Sequence, residues 1–430
     1  MSDDIRVRLG HLSGCVPTTC FGYAGVSMLS MKERQMHEFP GIPDAAERGS
    51  LCPPGATRDN LTAAGIADAW SSVMDEISDA ADRTSIVTLV VNDGTRPPSF
   101  PMLKPLEKLL EGRVRVLFAT GTHRPVTEAE RELLLGGLFP EALWISSDCD
   151  SEDMVDLGRT SRGTQFKVHP WVTDGSPVIS VNSVEPHYFA GFTGGRKSFL
   201  PGVSSRETIV ANHYHACEEG SLPGTLDGNP VHLDMLEALD YLEKRTWIRQ
   251  GNGVMHMGGL VHASAGSCLE SFLEAVEVSA ALSSITLPRK SKVLVLHPGE
   301  PLHVSLYQSE KAIYHCHHLV EDGGVLLLVS PCREGLGAGH LEQAFISSMD
   351  PLWETPGPAE YRLGDHSIVR LKQMRRRIRI AVASGIPDVL LERMGIEPVH
   401  NPVEWLDGLD LGEPLFIPRA GFILPGLPED

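Results

Sequence analysis

A chain of 430 residues is long enough for two domains. Its 42% hydrophobic and 22% charged residues suit packed cores and exclude global disorder. A formal charge of −19 argues against a nucleic-acid binder, which carries a basic face, and leaves only local basic spots for an anionic substrate.

The eight cysteines (Cys15, Cys20, Cys52, Cys149, Cys217, Cys268, Cys316 and Cys332) are scattered and form no CxxC, so no disulfide scaffold is expected. The start, MSDDIRVRLG, has no apolar signal region, and no apolar run approaches the roughly 18–20 residues that span a bilayer. A reducing cytoplasm and no membrane partner are the expectations.

The first eighty residues are rich in Gly, Pro and Cys and weakly periodic, as in HLSGCVPTTCFGYAG and FPGIPDAAERGSLCPPGATRDN. They predict ordered loops or a wrapping arm, then a helix over 63–80 behind polar capping residues. From Ser85 the pattern changes. SIVTLVV reads as a buried strand, followed by the turn-rich NDGTRPPS and a helical stretch to about Glu111. VRVLFAT is a second strand that ends in GTHRP, and TEAERELLLGG a helix. SPVISVN is a third strand that runs into the long loop EPHYFAGFTGGRKSFLPG. Strand, polar loop and helix recur, the signature of an α/β fold. Ligands bind beyond the carboxyl ends of strands in such sheets, so the three polar loops should converge. After Pro288 the rhythm restarts with strands at KVLVLHPG, VLLLVSP, RIAVASG and PLFIPRAG and helices at about 305–321, 341–349 and 387–393. SSITLPRKS, near 283–291, reads as a linker, which divides the chain into domains over 1–285 and 290–430.

In the third loop, Gly194 and Gly195 permit close backbone approach and positive φ, and Lys197 follows at once. A lysine there meets a phosphate or carboxylate, serves as a covalent attachment point if desolvated, or is simply solvated. GGRKS does not satisfy the P-loop pattern. His187 stands in Glu185-Pro186-His187 and His213 in ANHYHAC, on a predicted helix; alone, His213 reads as structural. His123, at a strand end, suits a general base as well as a loop cap. Asp93 and Arg96 share a strand end, where Arg suits bidentate carboxylate recognition and an Asp–Arg loop clamp equally. Tyr307, Gln308 and Lys311 gather a hydroxyl, an amide and an ammonium on one helix face, which is also what a solvated face presents. His315-Cys316-His317-His318 cannot chelate as a unit, because adjacent helical residues diverge, and reads as structural.

NDGTRP, ATGTHRP, NSVEPHYFAGFTGGRKSFLPGV, ANH, DGNPVH and the LYQSEK helix, in this order and with His187 ten residues before Lys197 and Lys197 sixteen before His213, resemble the nickel-pincer lactate racemase family. The resemblance implies two α/β domains with the active site in the cleft between them, and a cofactor made by separate biosynthetic enzymes. It implies that Lys197 forms a thioamide with a pyridinium-derived nucleotide, and that His213 ligates square-planar Ni(II) beside soft sulfur donors. Asp93, Thr95, Gly194 and Gly195 then fall to cofactor binding and His123 and His187 to acid/base work. Arg96 and Lys311 hold a substrate carboxylate, with Tyr307 and Gln308 lining the pocket. The implied reaction inverts C2 of a small-molecule 2-hydroxyacid: one histidine takes the hydroxyl proton, the cofactor accepts a hydride, and its return to the other face of the 2-keto acid inverts the centre. Arg196 stands where the family commonly has a small residue and could pair with a second substrate carboxylate or a cofactor oxygen. Phe199 is bulkier than the usual aliphatic. Other readings are an epimerase of a larger sugar acid, a zinc-type hydrolase without an HExxH motif, and a non-catalytic holder of the cofactor, which would not need both His123 and His187.

Overall fold

A computed structural model describes residues 60–256, 258–287, 289–300, 302–337 and 355–427. The loops or arm expected before residue 60 and the helix expected at 341–349 lie outside the described residues. The chain divides into two compact units, one ending at Leu282 and one running from Ser283. Among the described residues no helix is long and apolar enough to cross a membrane.

The first unit is built on β1 (Val87–Asn92), β2 (Val114–Ala119), β3 (Leu143–Ser146), β6 (Val178–Ser183), β9 (Ile248–His256) and β10 (Gly259–Gly266), in the order β10-β9-β6-β1-β2-β3. All pairs are parallel except β9 with β10. Parallel strands are covered on both faces, which is why VTLVV and VRVLF are continuously buried and mostly apolar, with Thr88 and Arg115 paired to each other. One face packs Leu89, Val91, Val116, Phe118, Ile179 and Val181 against Trp70, Ile77, Met102, Leu103 and Leu106. Trp70 sits over a glycine: a Cβ at Gly251 of β9 would lie 2.4 Å from the Trp70 ring. The opposite face of β6 and β9 is polar and still buried, with Ser180, Asn182, Gln250 and Asn252.

The helix expected over 63–80 is two, α1 (Ala63–Ser71) and α2 (Met74–Asp82). The stretch expected to be helical up to Glu111 holds only the short α3 (Phe100–Leu103) and a single 3₁₀ turn. TEAERELLL forms α4 (Glu128–Leu135), closed by a Thr127/Glu130 capping box and a left-handed Gly136. β4 (Val155–Arg159) pairs with β5 (Gln165–Val168) in a hairpin, β7 (Pro186–His187) pairs with β8 (Gly191–Phe192), and α5 (Arg206–Tyr214), α6 (Pro230–Glu243) and α7 (Cys268–Ser283) complete the unit.

The second unit carries a fully parallel sheet of β12 (Ser291–Leu296), β13 (Val320–Val329), β14 (Arg379–Ala383), β15 (Glu397–Pro398) and β16 (Leu415–Ile417), ordered β15-β14-β13-β12-β16. The expected linker is partly strand: β11 (Ser284–Thr286) pairs with β17 (Leu424–Gly426). The expected helix over 305–321 is α8 (Leu306–Cys316), which ends in a 3₁₀ turn at His317–Leu319. The histidines of that turn region do structural work. His315 Nδ1 meets the Ile423 carbonyl and His318 Nε2 the Pro425 carbonyl, both at 2.8 Å, which fastens the segment that carries β17.

Glu310 of α8 points into this unit and accepts a 2.6 Å hydrogen bond from Ser367 Oγ on α9 (Asp365–Arg375). Burial pushes its carboxyl up to about 8, against the Ser367 and Tyr314 bonds and the Lys311 and Arg370 charges, which pull it down. An unfolded chain releases that proton near 4.5, whereas the folded one holds it to about 8. Folding stability therefore falls as pH rises through this window. Glu310→Gln is expected to raise the melting temperature at about pH 8 and to change it little at about pH 5, read from thermal melts across pH; a wild-type-minus-variant difference that stays flat with pH would contradict this.

Candidate active site

Three loops leave the carboxyl edge of the first sheet, after β1, β2 and β6, and the structure ties them together. Asp93, on the loop after β1, meets His123, on the loop after β2: Asp93 Oδ2 lies 2.6 Å from His123 Nδ1. Arg96 Nη1 reaches Glu185 Oε2, on the loop after β6, at 3.4 Å. Gly121 N donates to the Gly202 carbonyl at 2.9 Å, which closes the third side.

Asp93 is built to hold a histidine. It is buried, and it accepts from Thr95 N at 3.1 Å and from Thr95 Oγ1 at 2.6 Å. Burial alone would raise its carboxyl, but the His123 bond and charge and the two Thr95 bonds outweigh that and hold it below its ordinary value of 3.8. The carboxylate fixes the Nδ1–H tautomer of neutral His123, which leaves Nε2 with a lone pair on a partly exposed ring. His187 has the opposite arrangement. Its Nδ1 accepts from Ala190 N at 3.2 Å, so the neutral ring carries its proton on Nε2. One histidine is preset as a base and the other as a donor.

The loop after β6 folds around Phe189, which is 2% exposed. The His187 ring meets Phe189 edge-on at 4.6 Å between centroids, the His213 ring from α5 does so at 5.1 Å, and Lys197 Nζ lies 5.6 Å from the same ring centre. Asn229 Nδ2 holds the Phe189 carbonyl at 2.9 Å and the Thr225 carbonyl at 3.0 Å, so the Asn of DGNPVH secures the hub. Asn212, the residue before His213, donates at 2.8 Å to the fully buried Asp234, which also accepts from Thr160 and Thr164. That carboxylate anchors α5 one residue from His213.

Lys197 rides a 3₁₀ turn, Gly195–Ser198, pressed onto the polar face of the sheet. Gly195 N donates to Asn252 Oδ1 at 3.2 Å, Gln250 Nε2 donates to the Gly195 carbonyl at 3.0 Å, and Ser198 Oγ donates to Asn182 Oδ1. Both glycines have positive φ, and a Cβ would lie 2.6 Å from Val184 at Gly194 and 2.6 Å from Phe272 at Gly195. No other residue fits this approach. Arg196 does not face a ligand: its side chain is 1% exposed and donates to the Ala190 and Gly194 carbonyls. The expected pairing with a second carboxylate or a cofactor oxygen is therefore not what this residue is placed for. Tyr307, Gln308 and Lys311 lie on α8 of the second unit, where Lys311 Nζ donates to Gln308 Oε1 at 2.5 Å.

No role is legible in the linear sequence for Phe189, Glu185, Asn229 and Asp234 or for the amide floor of Asn182, Gln250 and Asn252. DGNPVH and NSVEPH contain or border several of them, but nothing in a linear pattern shows that one aromatic ring collects three side chains.

Asp93→Asn removes the acceptor that sets the His123 tautomer, and activity is expected to fall about 10²- to 10⁴-fold with the fold retained. Because the Asp93 carboxyl is held low, the stability it contributes is complete above 3.8 and is lost as pH falls through its lowered folded value. Wild-type and Asp93→Asn melting curves should therefore draw together in acid, and a gap that widens below about pH 4 would contradict this.

Residues 42–222 match the family model described as the lactate racemase N-terminal domain. The lactate racemase of Thermoanaerobacterium thermosaccharolyticum is 28% identical over 288 residues, 64% of this chain and 66% of that protein. The lactate racemase of Lactiplantibacillus plantarum is 28% identical over 288 residues, 64% of this chain and 67% of that protein. The aligned stretch thus spans about two thirds of the length of these relatives, both isomerases by name. In fold, the chain is similar to the lactate racemase apoprotein of T. thermosaccharolyticum, with a TM-score of 0.75 at 22% identity over 85% of this chain and 93% of that one. It is also similar to a protein from Thermotoga maritima, with a TM-score of 0.65 at 17% identity over 86% and 99%. Together these likenesses make the chain similar to the lactate racemases over about two thirds of its length, with residues 42–222 matching the model of their N-terminal domain.

Proposed function

We propose that this chain is an isomerase that inverts C2 of a small 2-hydroxyacid, and that it works with a nickel-pincer nucleotide attached to Lys197. The observation that carries this is the packing of His187, His213 and Lys197 on the single ring of Phe189. An amine for attachment, an imidazole for a metal and an imidazole for proton transfer thus share one buried aromatic wall. The donor set suits the group: a helix-borne imidazole is a fitting nitrogen ligand for Ni(II), and a lysine on a clamped turn is a fixed attachment point. Thr95, Gly194 and Gly195 would shape the bed around it, with Asp93 orienting His123. When bound, the group supplies a reversible two-electron acceptor for the hydrogen on C2.

The remaining work belongs to the chain. His123 Nε2, with Asp93 behind it, removes the hydroxyl proton, and His187, from its own loop, faces the same oxygen as the hydrogen-bond donor and acid of the pair. Carbon–hydrogen cleavage as a carbanion is disfavoured beside a carboxylate, so a two-electron route needs only a base at oxygen, which is what an imidazole can be near neutral pH. Arg96, already paired with Glu185, is assigned to the substrate carboxylate; for Lys311, Tyr307 and Gln308 of the second unit a substrate-binding role rests on the family resemblance alone. A protein that merely stored the cofactor would have no use for two histidines preset in opposite tautomers. The partners this implies are a small hydroxyacid and the enzymes that make the cofactor.

The test is chiral chromatography of single enantiomers of lactate and other short 2-hydroxyacids, incubated with protein co-produced with the cofactor-making enzymes. Wild-type protein is expected to bring either enantiomer towards the equal mixture. Lys197→Ala should abolish this, and His123→Ala should slow it about 10²-fold or more. Loaded wild-type protein that leaves every enantiomer unchanged would contradict the proposal.

A further inference from the structure

Arg196 is a buried cation with no carboxylate beside it among the described residues. Its side chain is among the largest fully buried ones, at 1% exposure. Nη2 donates to the Ala190 carbonyl at 2.6 Å, Nη1 donates to the Gly194 carbonyl at 3.4 Å, and the guanidinium lies 4.4 Å from the centre of the Phe272 ring. Nε has no hydrogen-bond partner among the described residues. Burial lowers the guanidinium to about 9, and no acidic neighbour among the described residues raises it. The neighbouring His232 is pushed down to about 3, by burial first and by the Arg196 charge second, so it stays neutral and supplies no counter-charge.

Such an arrangement is expensive. A charge taken out of water costs several kcal/mol unless it is paired, and an apolar residue of similar volume is often no less stable. The two carbonyls that Arg196 does hold are informative. Ala190 follows Phe189 directly, and Gly194 opens the turn that carries Lys197. One planar side chain holds each with its own nitrogen in a rigid fork, whereas a lysine offers a single rotatable ammonium and an aliphatic residue no donor. Phe272 stacks against it from α7, and the same ring blocks any side chain at Gly195.

We propose that Arg196 is a positioning residue: it staples Ala190 to Gly194, and so fixes the Phe189 ring relative to the Lys197 turn. It acts through those backbone atoms and touches no substrate. Its unpaired charge is retained because only a forked, rigid donor set can close this loop. The inference rests on Lys197 as the attachment point, but the geometry it concerns exists in the chain alone.

The experiment compares wild type, Arg196→Lys and Arg196→Met. In cofactor-free protein, the rate of reductive methylation of Lys197 is measured by peptide mass spectrometry relative to Lys104, an exposed lysine remote in sequence. In protein co-produced with the cofactor-making enzymes, the fraction of chains that carry an adduct on Lys197 is measured by intact mass. Both variants lose the two-point staple. Each is expected to shift the Lys197-to-Lys104 ratio by about threefold or more and to cut adduct formation roughly tenfold or more, since misplacing reactive groups by about 1 Å can cost up to about 10²-fold. Arg196→Lys keeps the charge and guards against failure of Arg196→Met to fold, which melting curves report. A variant that melts below wild type yet keeps the wild-type ratio and loading assigns Arg196 a merely structural role and overturns the proposal. If wild type itself never acquires an adduct, the cofactor assignment fails, and the methylation ratio still decides the role of Arg196.

Discussion

The chemistry of the first unit depends on one constraint: the chain leaving β6 must double back over the carboxyl edge of the sheet and bury an aromatic ring. Phe189 fills that fold-back. His187 comes before it on the same loop, Lys197 after it, and His213 from the next helix, and each meets the ring within 6 Å. A loop alone would not hold such an arrangement, because backbone polar groups pressed onto a sheet need partners. Here Gln250 and Asn252 supply them, and Asn182 holds the Ser198 hydroxyl, from a face of the sheet that in most α/β units would be apolar. The sheet is thus core on one side and a hydrogen-bonding bench on the other.

The outer ring of contacts follows the same logic. Asp93 with His123, Arg96 with Glu185, and Gly121 with Gly202 join loops that the strand order brings to one edge. Behind them, Asn229 and Asp234 secure the hub and α5. Buried polar networks of this kind cost little when every member is satisfied and specify one arrangement. Here satisfaction is incomplete: Asn182 Nδ2, Asn212 Oδ1 and Arg196 Nε have no hydrogen-bond partner among the described residues, and Arg196 alone of the three adds an uncompensated charge.

Much of this architecture was legible in the sequence. SIVTLVV, VRVLFAT and SPVISVN are strands because buried parallel strands are apolar on both faces, and their polar ends converge as doubly wound topology requires. β9 and β10 were not legible. IRQGNGVMH alternates glycine with amides, so it carries no hydrophobic period; its glycines admit Trp70 on one face and its amides hold the lysine turn on the other. The break between α1 and α2 falls at Ser72–Val73, without glycine or proline to announce it. At the site, motif residues such as His123 and Lys197 could be singled out from type and spacing. The tautomers of His123 and His187 could not, because each is set by a partner distant in sequence or by a local backbone turn. Arg196 was misread for a related reason: charge suggests a ligand, and only burial shows that the charge is spent on the chain itself.

The central claim, that Lys197 carries a nickel-bearing nucleotide beside His213, is tested most directly by peptide-mapped mass spectrometry with nickel analysis on protein co-produced with the cofactor-making enzymes. An adduct on Lys197 is expected, with about one nickel per chain that is lost on His213→Ala while the adduct remains. No adduct and no nickel, with the biosynthetic enzymes shown to load a control, would contradict the account.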